Sequence, residues 1–158
     1  MRGFNLRLRP EGEMIMDIHT DEDHDIARIA RDTKVVAMVG LSPNEARPSW
    51  GVARYLQSQG IRVIPVNPGH DGQTILGERV YATLADIPAA EGVQLVDIFR
   101  RSDAVGQVVD EALAHLPGLQ VIWTQLGVRD DAAAERARAR GITVVQDRCP
   151  KIEFPRHL

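Results

Sequence analysis

Val35-Val36-Ala37-Met38-Val39-Gly40-Leu41-Ser42-Pro43-Asn44, running on to Arg47-Pro48-Ser49, is the stretch that decides the fold. Its opening apolar run fits a strand buried on both faces, and the run breaks at Gly40 into a small polar loop. Pro48 then stands in the first turn of the next helical pattern, where a missing N–H leaves no helix bond unmade. Strand, glycine turn and helix start in succession gather backbone N–H groups at the positive end of a helix dipole, which suits a phosphate or diphosphate. Neither of the two commonest phosphate grips is present. The glycine after Gly40 is Gly51, so there is no G-x-G-x-x-G, and no Gly-Lys-Ser/Thr follows.

Working outward, the pattern predicts a helix over 48–59 with Val52, Ala53 and Leu56 inward, ended by Gly60. A second buried strand over 61–66 is stopped by Asn67-Pro68-Gly69. Segment 70–92 is looser, with Gly72, Gly77, Pro88 and Gly92 allowing a short strand near Val80 and a short helix at 83–86. A strand over 93–99 follows. Ser102 is placed to cap the next helix, in which Val105, Val108, Val109, Ala112, Leu113 and Leu116 recur at three-and-four spacing. After Pro117-Gly118 come a strand over 119–123, an alanine- and arginine-rich helix over 130–140 that reads as a solvated face, and a last strand over 142–145. Upstream, Thr20-Asp21-Glu22-Asp23 reads as a capped start of a helix reaching Asp32. Residues 1–19 then form an N-terminal arm and residues 20–158 a single domain. Strands separated by one helix each imply right-handed crossovers, hence an α/β Rossmann-like doubly wound sheet, mainly parallel, with helices on both faces.

The chain of 158 residues is 44% hydrophobic and 26% charged, enough for one domain to bury a core unaided. A net charge of −3 argues against a nucleic-acid binder, so an anionic ligand must be held by local groups. Cys149 is the only cysteine, which removes internal disulfides and cysteine–zinc clusters and fits a reducing, cytoplasmic setting. No apolar stretch follows Arg2, Arg7 and Arg9, so neither a signal peptide nor a membrane span is expected. His19 and His24, five apart, do not share a helix face, and no metal site is expected there.

In a sheet of this kind the ligand lies beyond the carboxyl ends of the strands, and special or polar residues stand at all five exits. They are Gly40 to Asn44; Val66-Asn67-Pro68; Asp97 to Arg101; Gln125-Leu126-Gly127; and Asp147 to Lys151. Lys34, Arg62 and Gln120 fall at the opposite edge and are set aside. The end of the second strand discriminates between nucleotides. NAD sites place an Asp or Glu there for the ribose hydroxyls, whereas Asn67 would not repel a ribose that carries phosphate.

Val39 to Asn44 with Arg47-Pro48-Ser49, Val63-Ile64-Pro65-Val66-Asn67-Pro68, Leu76-Gly77-Glu78, Val96-Asp97-Ile98-Phe99-Arg100, Trp123 to Val128 and Asp147-Arg148-Cys149-Pro150-Lys151 together resemble the small stand-alone CoA-binding proteins, which are similar to the CoA-binding domain of the succinyl-CoA synthetase α subunit. The resemblance covers roughly residues 25–153 and departs at Thr124, where an apolar residue is expected, and in the longer arm. It implies coenzyme A, free or acylated, across the carboxyl edge. Gly40, Leu41, Ser42, Pro43, Asn44 and Ser49 would surround the diphosphate, with Arg47 either a clamp or a surface residue. Val66, Asn67 and Pro68 would flank the adenosine, and Phe99 and Arg100 the nucleotide or pantetheine. Gln125 and Gly127 would line the floor near the pantetheine arm, with Cys149 and Lys151 close by.

No nucleophile–base pair and no Gly-x-Ser-x-Gly elbow occurs, so the first functional reading is a non-catalytic binder of CoA or acyl-CoA. Two alternatives stay open: a small NAD(P)-binding oxidoreductase, and a CoA- or redox-responsive regulatory protein acting through Cys149, whose neighbours Arg148 and Lys151 are the surroundings a reactive thiol needs. A protein partner would find its surface on the N-terminal helix, outside the βαβ core.

Overall fold

Strands that are apolar on both faces can pair only with one another and under helices. The computed structural model describes residues 5–8, 14–17 and 21–158, with side chains from Glu22 onward. Near the N-terminus β1 (Asn5–Leu8) and β2 (Met14–Asp17) pair antiparallel, so the expected arm contains a short ladder. The rest of the arm, His19 and the Thr20 cap lie outside the described residues. The chain continues through α1 (Asp21–Asp32), β3 (Val35–Val39), α2 (Pro48–Ser58) and β4 (Arg62–Val66) to a hairpin of β5 (Thr74–Ile75) and β6 (Glu78–Arg79). Then follow β7 (Leu95–Ile98), α3 (Ser102–His115), β8 (Val121–Thr124), α4 (Asp131–Ala139), β9 (Thr143–Val145) and α5 (Pro150–Glu153).

Five strands form a parallel sheet in the order β4-β3-β7-β8-β9. The chain steps outward from β3 to β4, then returns past β3 to β7. The reversal therefore falls between β3 and β7, where Val39 pairs with Ile98, and a crevice opens beyond their carboxyl ends.

Alternation along the strands splits the core in two. Val36, Met38, Leu95, Val121, Trp123 and Val145 face α1 and α2, meeting Ile26, Ile29, Val52, Ala53 and Leu56. Ala37, Val39, Ile64, Val66, Val96, Ile98, Ile122 and Val144 face α3 and α4, meeting Val105, Val109, Ala112 and three alanines.

Several expectations are corrected here. The run 130–140 is solvated on one face alone: Ala132, Arg136 and Ala139 are exposed, whereas Ala133, Ala134 and Ala137 are buried, and their small size lets the helix lie close on the sheet. Helix α1 is no appendage, because Ile26 is fully buried under the sheet. Ser102 does not cap α3. Arg101 holds the cap position, and Ser102 Oγ instead accepts from Arg129 N at 2.9 Å. The strand expected near Val80 is the hairpin β5–β6, with Leu76 and Gly77 at positive φ in its turn, and Val80 follows it into the core. The short helix at 83–86 is a single 3-10 turn, Leu84–Asp86, closed by a reciprocal Thr83–Asp86 capping box. Helix α5 and the turn Phe154–Arg156 were not legible, yet Phe154 meets Trp123 edge-on at 5.7 Å beneath the sheet.

Candidate ligand-binding edge

Three of the hollows along the carboxyl edge share lining residues. The first, about 350 Å³, is formed by Gly40, Ser42, Arg47, Pro48, Ser49 and Phe99. Gly40 has φ +90° and lies so close to the next strand exit that a Cβ would stand 2.2 Å from the Phe99 carbonyl oxygen. Only glycine fits there. The loop after it is tied to itself: Ser42 N donates to Ser49 Oγ (3.0 Å), Asn44 N to Ser42 Oγ (3.1 Å) and Ala46 N to Asn44 Oδ1 (2.9 Å). Ser49 is buried, so its hydroxyl is a fixed post for the loop. Pro48 opens α2 at its first position, as its ring and missing N–H favour.

The second hollow is a cleft of about 690 Å³ on the α2 side of the sheet, lined mainly by Pro48, Val52, Phe99, Leu126 and Val128, with Gln125 and Cys149 at its base and Arg100 and Arg101 at its rim. The third, about 230 Å³, lies on the α3 side and includes Val39, Val66, Pro68, Thr83, Leu84, Arg100, Gln107 and Glu111. The first and second hollows share Pro48 and Phe99, and the second and third share Arg100. They therefore adjoin one another along the sheet edge, the second on the α2 side and the third on the α3 side.

The other residues expected in the site stand around these hollows rather than in them. Leu41 is buried, and its carbonyl accepts from Asn67 Nδ2 at 3.0 Å. Asn67 Oδ1 accepts from Gly69 N at 3.0 Å, so the amide that distinguishes this exit from an NAD site fastens the first two strand exits together. Pro43 and Asn44 are exposed on the loop. Gly127, exposed, donates its N–H to Asp147 Oδ1 at 2.6 Å and lines none of the three hollows. Lys151 Nζ lies over the first turn of α2, 3.8 Å from where a Cβ on Gly51 would be. Arg148, one of the two cations expected beside Cys149, is engaged elsewhere: Nε donates to Glu22 Oε1 (2.5 Å) and Nη1 to Glu153 Oε1 (3.2 Å).

Thr124, the departure from the expected apolar residue, has a visible reason. Its Oγ1 donates to Val128 O at 2.7 Å and accepts from Asp147 N at 3.1 Å, joining the exits of β8 and β9.

Asp97 is fully buried on β7 between Met38 and Trp123, its strand neighbours on the same face, and burial pushes its carboxyl well above the ordinary carboxylate value. One end of the Gln125 side-chain amide faces it. With the NH2 turned inward, Gln125 donates to Asp97 Oδ1 at 3.0 Å and Oδ2 at 3.2 Å. With the carbonyl turned inward, it accepts the O–H of a protonated Asp97. Sequence reading missed this pairing, because Asp97 and Gln125 meet only through the β7–β8 register. It also missed Thr83, Leu84, Gln107 and Glu111. The four-residue spacing of Gln107 and Glu111 on α3 was the available signal, but their approach to Val66 depends on the irregular segment 70–92.

A parallel sheet with its reversal at β3 and β7, and hollows along that edge, defines a Rossmann-like domain. The CoA binding domain family matches residues 34–155, and the chain belongs to that family. Protein YneT of Bacillus subtilis (strain 168) is 33% identical over 128 residues, covering 81% of this chain and 90% of YneT. Two solved structures are similar over most of the chain. Protein ID.343 from Thermus thermophilus is 34% identical, with a TM-score of 0.79 over 86% of this chain and 98% of that one. A protein from Pyrococcus horikoshii OT3 is 32% identical, with a TM-score of 0.77 over 85% and 90%.

Proposed function

We propose that the chain binds coenzyme A along these hollows and does no covalent chemistry of its own. The observation that carries this reading is that three adjoining hollows at the strand exits share Pro48, Phe99 and Arg100: a ligand with an adenosine at one end and a long flexible arm at the other suits a row of hollows that changes face at the sheet edge. The adenosine lies in the hollow between Val66, Pro68 and α3. The diphosphate lies on the Gly40–Ser49 loop at the N-terminus of α2, where the dipole and Arg47 favour it. The pantetheine arm enters the apolar cleft over Phe99 and Gln125. Arg100, shared by two hollows, is positioned for a phosphate at the crossing. The binder reading is supported by the way polar groups along the edge hold one another: Ser42 with Ser49, Thr124 with Val128 and Asp147, Asp97 with Gln125.

Isothermal titration with CoA, dephospho-CoA and NAD tests this. Binding of CoA that weakens without the ribose 3′-phosphate is the expected result. Binding of NAD with no heat from CoA would overturn it in favour of a nicotinamide enzyme.

A further inference from the structure

Gln125 stands at the base of the cleft that the proposed function gives to the pantetheine arm, 6% exposed, and its side-chain amide has two unlike ends. The inner end lies 3.0 Å from Asp97 Oδ1 and 3.2 Å from Asp97 Oδ2, within hydrogen-bond reach of both. A carbonyl oxygen in that position would meet two oxygens that carry at most one proton between them. An NH2 brings two hydrogens to the same two oxygens, so the NH2 is the inner end and Oε1 the outer one. Strand register fixes the pair, because Asp97 lies opposite Trp123 and Gln125 stands next but one after Trp123 on the same face. Among the described residues no hydrogen bond reaches Oε1.

The rest of the cleft gives that oxygen its importance. Pro48, Val52, Phe99 and Val128 line it with hydrocarbon, and the Cys149 sulfur is a weak acceptor. The guanidinium groups of Arg100 and Arg101 at the rim only donate. Gln125 Oε1 is therefore the one strong side-chain acceptor on the cleft wall. An N–H carried out of water against these side chains stays unpaired, at a cost, unless it meets that oxygen.

We infer that Gln125 Oε1 accepts a hydrogen bond from an amide N–H of the pantetheine arm, with Asp97 as the positioning residue that keeps the oxygen outward. The inference rests on the CoA reading and adds what the cleft recognises: the secondary amides of the arm rather than its sulfur. A thiol S–H is a weak donor beside an amide N–H. The contact therefore holds CoA and its thioesters alike, and it is missing for a nucleotide without the arm.

Titrations with CoA, acetyl-CoA and adenosine 3′,5′-bisphosphate, which lacks the arm, test it. Two CoA analogues complete the set, each with one of the two amide N–H groups replaced by an ester oxygen. The wild-type chain is expected to bind at least one ester analogue about fivefold to tenfold more weakly than CoA, the range of one hydrogen bond. Gln125→Met is expected to weaken CoA and acetyl-CoA by that same factor and to leave the bisphosphate unchanged. Asp97→Ala is expected to weaken the two arm-bearing ligands similarly and to add nothing in a Gln125→Met background, which a merely loosened fold would not do.

Equal wild-type affinity for CoA and both ester analogues overturns the inference without any variant having to fold. So does a Gln125→Met chain that loses the bisphosphate as much as CoA, or one that loses CoA but not acetyl-CoA, which would make the thiol the donor. Additive losses from Asp97→Ala and Gln125→Met remove Asp97 from the account. Failure of the CoA reading looks different, since neither CoA nor the bisphosphate would then bind the wild-type chain.

Discussion

Asp97 carries a carboxyl into the core where most strands carry a branched hydrocarbon, and that choice has a pH signature. Its value in the folded chain lies above the ordinary 3.8 because burial disfavours the charge. The folded state therefore holds a proton that the unfolded state has released. The contribution of this group to stability is complete below the ordinary carboxylate value and is lost as pH rises through the folded value. An Asn at the same place has no proton to lose. Melts of wild type and Asp97→Asn between about pH 4 and about pH 9 are expected to diverge, with the Asn variant gaining relative stability as pH rises. A constant difference across that range would mean that Asp97 does not hold a raised value. Gly40 is the other residue at which a single atom decides, since the 2.2 Å approach of its missing Cβ to the Phe99 carbonyl leaves no room for any side chain.

At the scale of elements, the edge is made stiff by bonds between strand exits rather than within them. Thr124 is 1% exposed, and its hydroxyl serves both Val128 O and Asp147 N. Thr124→Val keeps the branched shape but removes the partner of the Val128 carbonyl and of the Asp147 N–H, both part-buried bonds, at a cost of about 2 kcal/mol. The loss is expected in denaturant melts, with amide exchange faster at Asp147 than at Val36 in the middle of β3. Equal acceleration everywhere would show that the bond is not local to the two exits. The same elements separate what could be read from the sequence from what could not. The strand runs at Val35, Val63 and Val96 were legible because burial on both faces demands unbroken apolar residues, and Gly40 and Pro48 marked the turn between strand and helix. The alanines of α4 were misread because alanine carries no strong apolar signal, and only packing shows that its small size is what the sheet requires. Asp97 with Gln125, and Thr124 with Asp147, were invisible because strand register, not spacing, brings them together.

For the whole molecule, the two hydrophobic layers meet only through the sheet, and the row of hollows passes over the edge between them. On the proposed seating a ligand would touch α2 on one face and α3 on the other, so that opening either layer would cost binding energy. With a net charge of −3 there is no long-range attraction for an anion, and affinity must come from these contacts. At a CoA concentration of about one hundred times Kd, mass action adds about 2.7 kcal/mol to stability. For a chain of this size that raises Tm by roughly 5–10 °C. The expected melt is a single transition that moves upward as a whole when CoA is added. A melt that splits in two with CoA present would place the ligand on one layer alone and remove the crossing at Arg100, while an unmoved transition would remove the ligand.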